Sequence, residues 1–91
     1  MSVTLEKTKE WLRVESNDED ALINSCILAA EDIITGILRF PLSEFDILPE
    51  VVKQAMYFCI AEFYEKRNEL NILELMNTLK IFLSTYRRGE W

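Results

Sequence analysis

From Ala21 to about Leu38, apolar residues return at every third or fourth position, and this repeat restricts the chain more than any other feature. Leu22, Cys26, Ala29, Ala30, Ile33 and Ile37 form one stripe, which Ile23, Ile27 and Ile34 widen. Only a helix gathers such positions on one side; a strand would scatter them over both faces. Ser16-Asn17-Asp18-Glu19 reads as the start of this helix, with Ser16 and Glu19 at capping-box spacing and three acids, Asp18, Glu19 and Asp20, crowding the first turn. Gly36 marks where it is expected to fray. Pro41 ends it, because its ring pushes Phe40 into an extended conformation.

Three further stretches read as helices. Leu5 to Leu12 has Thr4 as N-cap, Glu6 in the first turn, and Leu5, Thr8, Trp11 and Leu12 on one face. Arg13 to Asn17 follows as a loop from which Val14 tucks inward. Leu42 to Leu48 is a connector, and Pro49 then takes the first helical position, where its missing N–H costs nothing. Glu50 to about Glu69 is the strongest helix signal. Val52, Met56, Cys59, Ile60 and Phe63 give its main face, with Tyr57, Ala61 and Tyr64 on a second and Val51, Ala55 and Phe58 on a third. Apolar residues on more than one face predict a central helix or one that meets a partner. Asn71 caps a last helix over Ile72 to Ser84, whose expected core stripe is Ile72, Met76, Leu79, Leu83 and Tyr86. Leu75 and Phe82 lie off that stripe and are expected to be exposed in a monomer.

Two Gly and two Pro in 91 residues are too few for a sandwich or barrel, which needs a turn signal every few residues. Leu, Ile, Val and Phe make up about a third of the chain, well above the level of disordered segments. No uninterrupted apolar run approaches the roughly 20 residues that span a bilayer, and the charged residues Glu6, Lys7, Lys9 and Glu10 are unlike a signal peptide. The expectation is an all-α fold: a small bundle of about four helices with a long central third helix, forming a single domain over 1–91.

Charge and chemistry then exclude function classes. The net charge is −6, and it is uneven: residues 1–50 carry 11 acids and 4 bases, residues 51–91 carry 5 acids and 6 bases. An acidic domain repels phosphate backbones, so tight nucleic-acid binding is disfavoured, although DNA can pass an acidic surface without adhering. The chain has no histidine. Two Cys alone cannot close a zinc tetrahedron, and His-based acid–base or nucleophilic arrangements are excluded. Cys26 and Cys59 each lie in an apolar helical stretch. One disulfide remains open, but buried free thiols packed as small hydrophobes are the favoured reading.

The remaining constellations have simple structural readings. Asp18, Glu19 and Asp20 lack the Gly and distal Glu of a calcium loop, and capping explains them. Glu31-Asp32 and Glu62/Glu65 fall on the polar sides of amphipathic helices. Tyr57, Phe58, Phe63 and Tyr64 lack the interleaved cations of a base-stacking platform until Lys66-Arg67, so core and subunit contacts account for them better. No glycine-rich phosphate loop and no cofactor fingerprint occurs, and no enzyme and no cofactor is expected. What is in excess is apolar surface. Leu75, Phe82, Tyr57, Tyr64 and the terminal Trp91 together make a patch larger than a monomer normally shows, which points to partner binding or self-assembly.

An ordered set of short motifs adds a family. Val3-Thr4-Leu5-Glu6 with Lys9, Leu12-Arg13-Val14, the acidic run and Asp20-Ala21-Leu22-Ile23 resemble the start of small tailed-phage head–tail connector proteins. Leu48-Pro49-Glu50-Val51-Val52-Lys53-Gln54-Ala55, then Ala61, Tyr64-Glu65 and Arg67, and finally Leu83 with Tyr86-Arg87, continue the likeness in order over nearly the whole chain. The resemblance implies a structural adaptor of the virion, assembled in the host cytoplasm. Its subunits would form a homo-oligomeric ring, usually twelvefold, beneath the portal protein. That ring would extend the DNA channel without specific DNA binding or membrane contact, and would dock the next connector, a stopper or the tail. It places the portal contact in the 86–91 tail, at Tyr86, Arg87, Arg88 and Trp91. It implies folding or packing roles for Leu48, Pro49, Tyr64, Glu65 and Arg67. The link from Asn68 to Asn71 is shorter than in many relatives.

A ring also accommodates two-sided helices, since a heterologous contact uses two different patches of each subunit. Tyr57, Tyr64, Leu75 and Phe82 are the candidate subunit interface. Asp18, Glu19 and Asp20 are candidates to face the lumen or a neighbour. The alternative from another class is a small helical regulatory module of phage or bacterial origin that sequesters a partner through Tyr57, Tyr64 and Phe82.

Overall fold

A computed structural model describes residues 3–66 and 69–86 of the chain. Four α-helices are present: α1 (Leu5–Leu12), α2 (Asp20–Leu38), α3 (Glu50–Glu65) and α4 (Ile72–Phe82), with a 3-10 turn at Leu42–Glu44 between α2 and α3. No strand occurs among the described residues. The fold is an all-α bundle, as the periodicity predicts.

The helix ends follow local chemistry. Thr4 caps α1 by accepting the Lys7 N–H at its hydroxyl, 3.1 Å away, and Asn71 caps α4 by accepting the Glu74 N–H at 3.1 Å. Arg13 closes α1 in the left-handed conformation, with its own N–H bonded to the Glu10 carbonyl and the Val14 N–H to the Lys9 carbonyl. This is the Schellman pattern, and it carries Val14 inward to pack on the core. Arg39 closes α2 the same way through a single bond to the Thr35 carbonyl. In both places an arginine occupies a position that glycine fills most easily.

Four details differ from the sequence reading. The helix α2 begins at Asp20, not directly after Ser16, and its N-cap Glu19 makes no capping hydrogen bond. The local capping box loses to longer-range partners, because the side chains of Asn17, Glu19 and Asp20 are bonded to α1 and α3. Gly36 does not fray the helix, since Ile37 and Leu38 beyond it are buried in the core and hold the last turn down. Pro49 is the N-cap of α3, one position before the first helical residue, and its carbonyl accepts the Val52 and Lys53 N–H groups at 3.0 Å. The third helix is not the longest: α3 has 16 residues against 19 in α2, because it ends at Glu65 rather than near Glu69. The sequence from Glu65 to Glu69 offers no apolar side chain to hold another turn against the core.

The core is one cluster built on α2 and α3, the most extensively packed pair. Ile23, Ile27, Ala30 and Ile34 of α2 and Val52, Ala55, Met56, Cys59 and Ile60 of α3 are fully buried. That burial explains why α2, long and apolar enough by composition to cross a membrane, has a hydrophobic face here without a bilayer. Both cysteines are buried free thiols. The helices α1 and α4 each pack on both α2 and α3, with at most a marginal contact between themselves. The result is thin, 42 × 31 × 16 Å, less than two helix diameters along its shortest axis.

Candidate docking surfaces

The middle helix sends neighbouring aromatic side chains in different directions, because successive residues leave a helix about 100° apart. Tyr57 turns toward α1 and stacks on Trp11, with ring centroids 5.1 Å apart and planes at 12°. Phe58, the next residue, turns toward α4 and meets Phe82 at 6.1 Å. The two flanks of α3 are therefore covered by different helices, each bringing an aromatic ring.

On the α1 flank, Trp11 keeps 46% of its surface exposed despite the stack, so it is a surface aromatic although it shares a face with Leu5, Thr8 and Leu12. Thr8 takes the buried place on α1 instead, its hydroxyl donating to the Thr4 carbonyl at 2.8 Å. Partial burial pushes the Tyr57 phenol above its ordinary value; the Lys7 ammonium opposes that, and the Glu50 and Glu10 carboxylates add to it. Tyr64, one turn pair further along, is half-buried and its hydroxyl donates to the Glu19 carboxylate.

That bond bears on the acidic run. Asp20 is also engaged: the Lys9 ammonium donates to Asp20 Oδ1 at 2.7 Å and to Asn17 Oδ1 at 2.8 Å. The three acids thus do not act together. Glu19 and Asp20 tie α2 to α3 and α1, while Asp18 is exposed. Among the described residues no group of His, Cys, Asp or Glu is arranged to hold a metal ion.

On the α4 flank, Leu75 is only 3% exposed and belongs to the core with Leu79 and Leu83, so it is not a surface interface residue. The expected core residue Ile72 is half exposed instead. The cause lies in the sequence Ile72-Leu73-Glu74-Leu75-Met76, apolar at four of five positions, which allows the helix to be docked on either stripe. Opposite the core, Leu73 and Ile81 stand 71% and 77% exposed, with the exposed Asn77 between them. Sequence analysis missed this pair, although their eight-residue spacing, two helical turns, was the available signal. Phe82 is exposed, as expected.

The described end of the chain returns to the connector. Tyr86 lies edge-on to Phe45 at 5.7 Å, and Phe45 edge-on to Phe40 at 5.3 Å. Arg67, Arg87, Arg88 and Trp91 lie outside the described residues. Two surface grooves lie among the described residues. One, lined by Glu6, Lys9, Glu10, Arg13, Val14 and Glu15, runs along α1, and the other sits between the end of α3 and the start of α4. Charged side chains make up most of the first lining and half of the second, and some are already paired, Lys9 with Asp20 and Lys66 with Glu62 at 3.2 Å. Deep in the core, burial pushes the Cys59 thiol up to about 12, with the nearby Cys26 and Glu62 adding to it. It is a packing residue and not a nucleophile at neutral pH.

Comparison with curated proteins and with solved structures gave no match. A family model described as phage gp6-like head-tail connector protein matches residues 2–84, nearly the whole chain. Such connectors are structural components of the virion at the junction of head and tail, where they meet portal and tail proteins. On that match, the chain belongs to the phage gp6-like head–tail connector protein family.

Proposed function

We propose that this chain is a ring subunit which docks beneath the portal, extends the DNA channel and offers the next connector, a stopper or the tail its landing surface. The observation that carries the reading is the family match over residues 2–84, and two features of the molecule support it. Large apolar side chains remain exposed on every helix, Trp11, Leu28, Val51 and Leu73 among them, and contacts with neighbouring subunits would cover such surface. The acidic balance of residues 1–50 suits a wall that DNA slides past, since like charge discourages adhesion. Assembly takes place in the host cytoplasm before the ring is fixed in the particle. The portal contact is assigned to the tail, at Tyr86, Arg87, Arg88 and Trp91.

The test is native mass spectrometry of the chain over a range of concentrations, alone and with its portal. A closed species near twelve subunits of 10.7 kDa, roughly 130 kDa, is the expected product. Replacing Arg87, Arg88 and Trp91 with Ala should leave that species intact and abolish its capture by the portal. No association with the portal under any condition would sink the reading.

A further inference from the structure

Tyr86 is the last described residue before the 87–91 segment, and its ring is already engaged inside the molecule. It packs on the core cluster and stands edge-on to Phe45 at 5.7 Å with the planes at 84°, while Phe45 lies at 60° to Phe40 at 5.3 Å. Phe40 is 7% exposed and belongs to the core. Three rings thus lead from the core through the connector to the root of the tail. We infer that Tyr86 is a positioning residue: held against Phe45, it fixes the point from which the tail departs, and the portal is touched by Arg87, Arg88 and Trp91. The inference rests on the portal-docking reading above and narrows it, giving the connector between α2 and α3 a part in docking.

The backbone around Tyr86 is tied down as well. Leu83 is fully buried, and its carbonyl accepts the Tyr86 N–H at 3.0 Å, so the chain turns directly after α4. Ser84 fastens the same turn, its N–H and its hydroxyl both donating to the Ile81 carbonyl, at 3.4 and 3.1 Å. A half-buried ring that is packed on the core and edge-on to a second ring keeps little surface for a partner. Arg87, Arg88 and Trp91, which follow, are of the residue types that dominate protein contacts. From Tyr86 to Trp91 the chain spans at most about 17 Å in any conformation. With Tyr86 released, the nearest fully buried side chain upstream is Leu83, and the span to Trp91 rises to about 27 Å. The hold on Tyr86 therefore shrinks the volume that the tail can search about fourfold, going as the cube of the reach. It also orders residues 84–86 before docking instead of during it, which favours binding.

The experiment has one arm without the portal and one with it, and far-UV circular dichroism confirms that each variant is folded. In the first, trypsin cleavage after Arg87 is followed by mass spectrometry of the released peptide, since its rate tracks how often the adjoining backbone is free. Tyr86→Ala and Phe45→Leu should each be cut about 10-fold faster than wild type. Tyr86→Phe, which keeps the ring, should be cut at the wild-type rate. In the second arm, affinity for the portal should fall about 10-fold in Tyr86→Ala and in Phe45→Leu. The double variant should lose no more than either alone, because both changes undo one contact. Phe45→Met serves should Phe45→Leu not fold. Unchanged cleavage in folded Tyr86→Ala overturns the anchor whatever the portal does. Affinity losses that add in the double variant, or a loss in Tyr86→Phe, also overturn it, because Tyr86 would then touch the portal itself. Wild type that no portal captures sinks the docking reading, and with it the role given to Tyr86, even where the cleavage rates show the ring to be held.

Discussion

The ammonium of Lys9 is the fastening point between α1 and the start of α2, and its removal gives a quantitative test of how the acidic run is organised. Its side chain is 13% exposed and that of its partner Asp20 is 33% exposed. The pair is therefore neither a solvated surface pair, for which about 0.2–1 kcal/mol is usual, nor a fully buried one, for which breaking costs about 3–5 kcal/mol. A charge-assisted hydrogen bond contributes about 1.5–3 kcal/mol. Discounting that for the exposed third of Asp20 gives a coupling of about 1–2 kcal/mol. The side-chain carbonyl of Asn17 makes a second bond to the same ammonium, so Lys9→Met should cost about 2 kcal/mol in total. For a domain of this length each kcal/mol shifts Tm by about 4–8 °C. The assay is a double-mutant cycle of Lys9→Met and Asp20→Asn by urea unfolding, performed at protein concentrations where the species is monomeric. The cycle removes the separate contribution of Asp20 to the α2 dipole, which each single variant would otherwise confuse with the pair. A coupling below about 0.3 kcal/mol would refute the reasoning, and would mean that Lys9 does not hold Asp20 in place.

Other perturbations have outcomes fixed by single positions. Gly36 is helical, exposed, and has nothing within 4 Å of the place a Cβ would occupy, so Gly36→Ala should raise stability by about 0.5–1 kcal/mol in thermal unfolding. Arg39→Gly should gain by about 0.5–1 kcal/mol as well, because the left-handed cap at φ 68° strains any residue with a Cβ; a loss of stability would show that the arginine side chain matters more than its backbone. Leu79→Ala, at a fully buried site, should cost about 2–5 kcal/mol and leave the chain barely folded at 37 °C by circular dichroism. The Cys59 thiol ionises in the folded chain only near pH 12, against an ordinary value of 9.0 in the unfolded one. The unfolded state therefore loses its proton first, and stability should be full below pH 9 and decline between pH 9 and 12. Cys59→Val should flatten that alkaline limb, and a thiol reagent at pH 8 should label neither cysteine until urea unfolds the protein.

Much of what depends on local pattern was legible in the sequence. Thr4 and Asn71 cap the helices they were expected to cap, Pro41 and the Pro49 carbonyl bracket the connector, and the nine apolar positions of α2 fall as their period requires, with Ile23, Ile27 and Ile34 fully buried. The failures occur where a local signal was outbid by, or indifferent to, a tertiary partner. The capping box at Ser16 and Glu19 is locally sound, yet Glu19 accepts from the Tyr64 hydroxyl 45 residues away. Periodicity cannot decide which stripe of α4 is the core when Ile72, Leu73, Leu75 and Met76 are all apolar, and packing chose Leu75. Trp11 illustrates the same limit from the other side. Its spacing with Leu5 and Thr8 places it on the inner face, but the small hydroxyl of Thr8 fits the close approach of α1 to the bundle, and the indole is left at the rim against Tyr57.

The acids show how the structure sharpens a functional expectation. Read as a run, Asp18, Glu19 and Asp20 suggest one negative surface facing a lumen or a neighbouring subunit. Glu19 and Asp20 are instead held by Tyr64 and Lys9, so reversing either charge would break a fastening and change the fold before it changed any field. Asp18 is exposed on the turn that precedes α2, as is Glu15 before it, and these two can be reversed with little effect on stability. Asp18→Lys with Glu15→Lys is therefore the clean electrostatic probe. If the N-terminal half lines the channel, particles carrying both substitutions should assemble normally and retain or release DNA differently from wild type. Asp20→Lys should instead reduce the yield of folded subunit. Unchanged DNA retention and titre with Asp18 and Glu15 reversed would remove this part of the surface from the channel wall, because a field of two charges per subunit, repeated around a ring, is too large to pass unnoticed by DNA sliding within a Debye length of it.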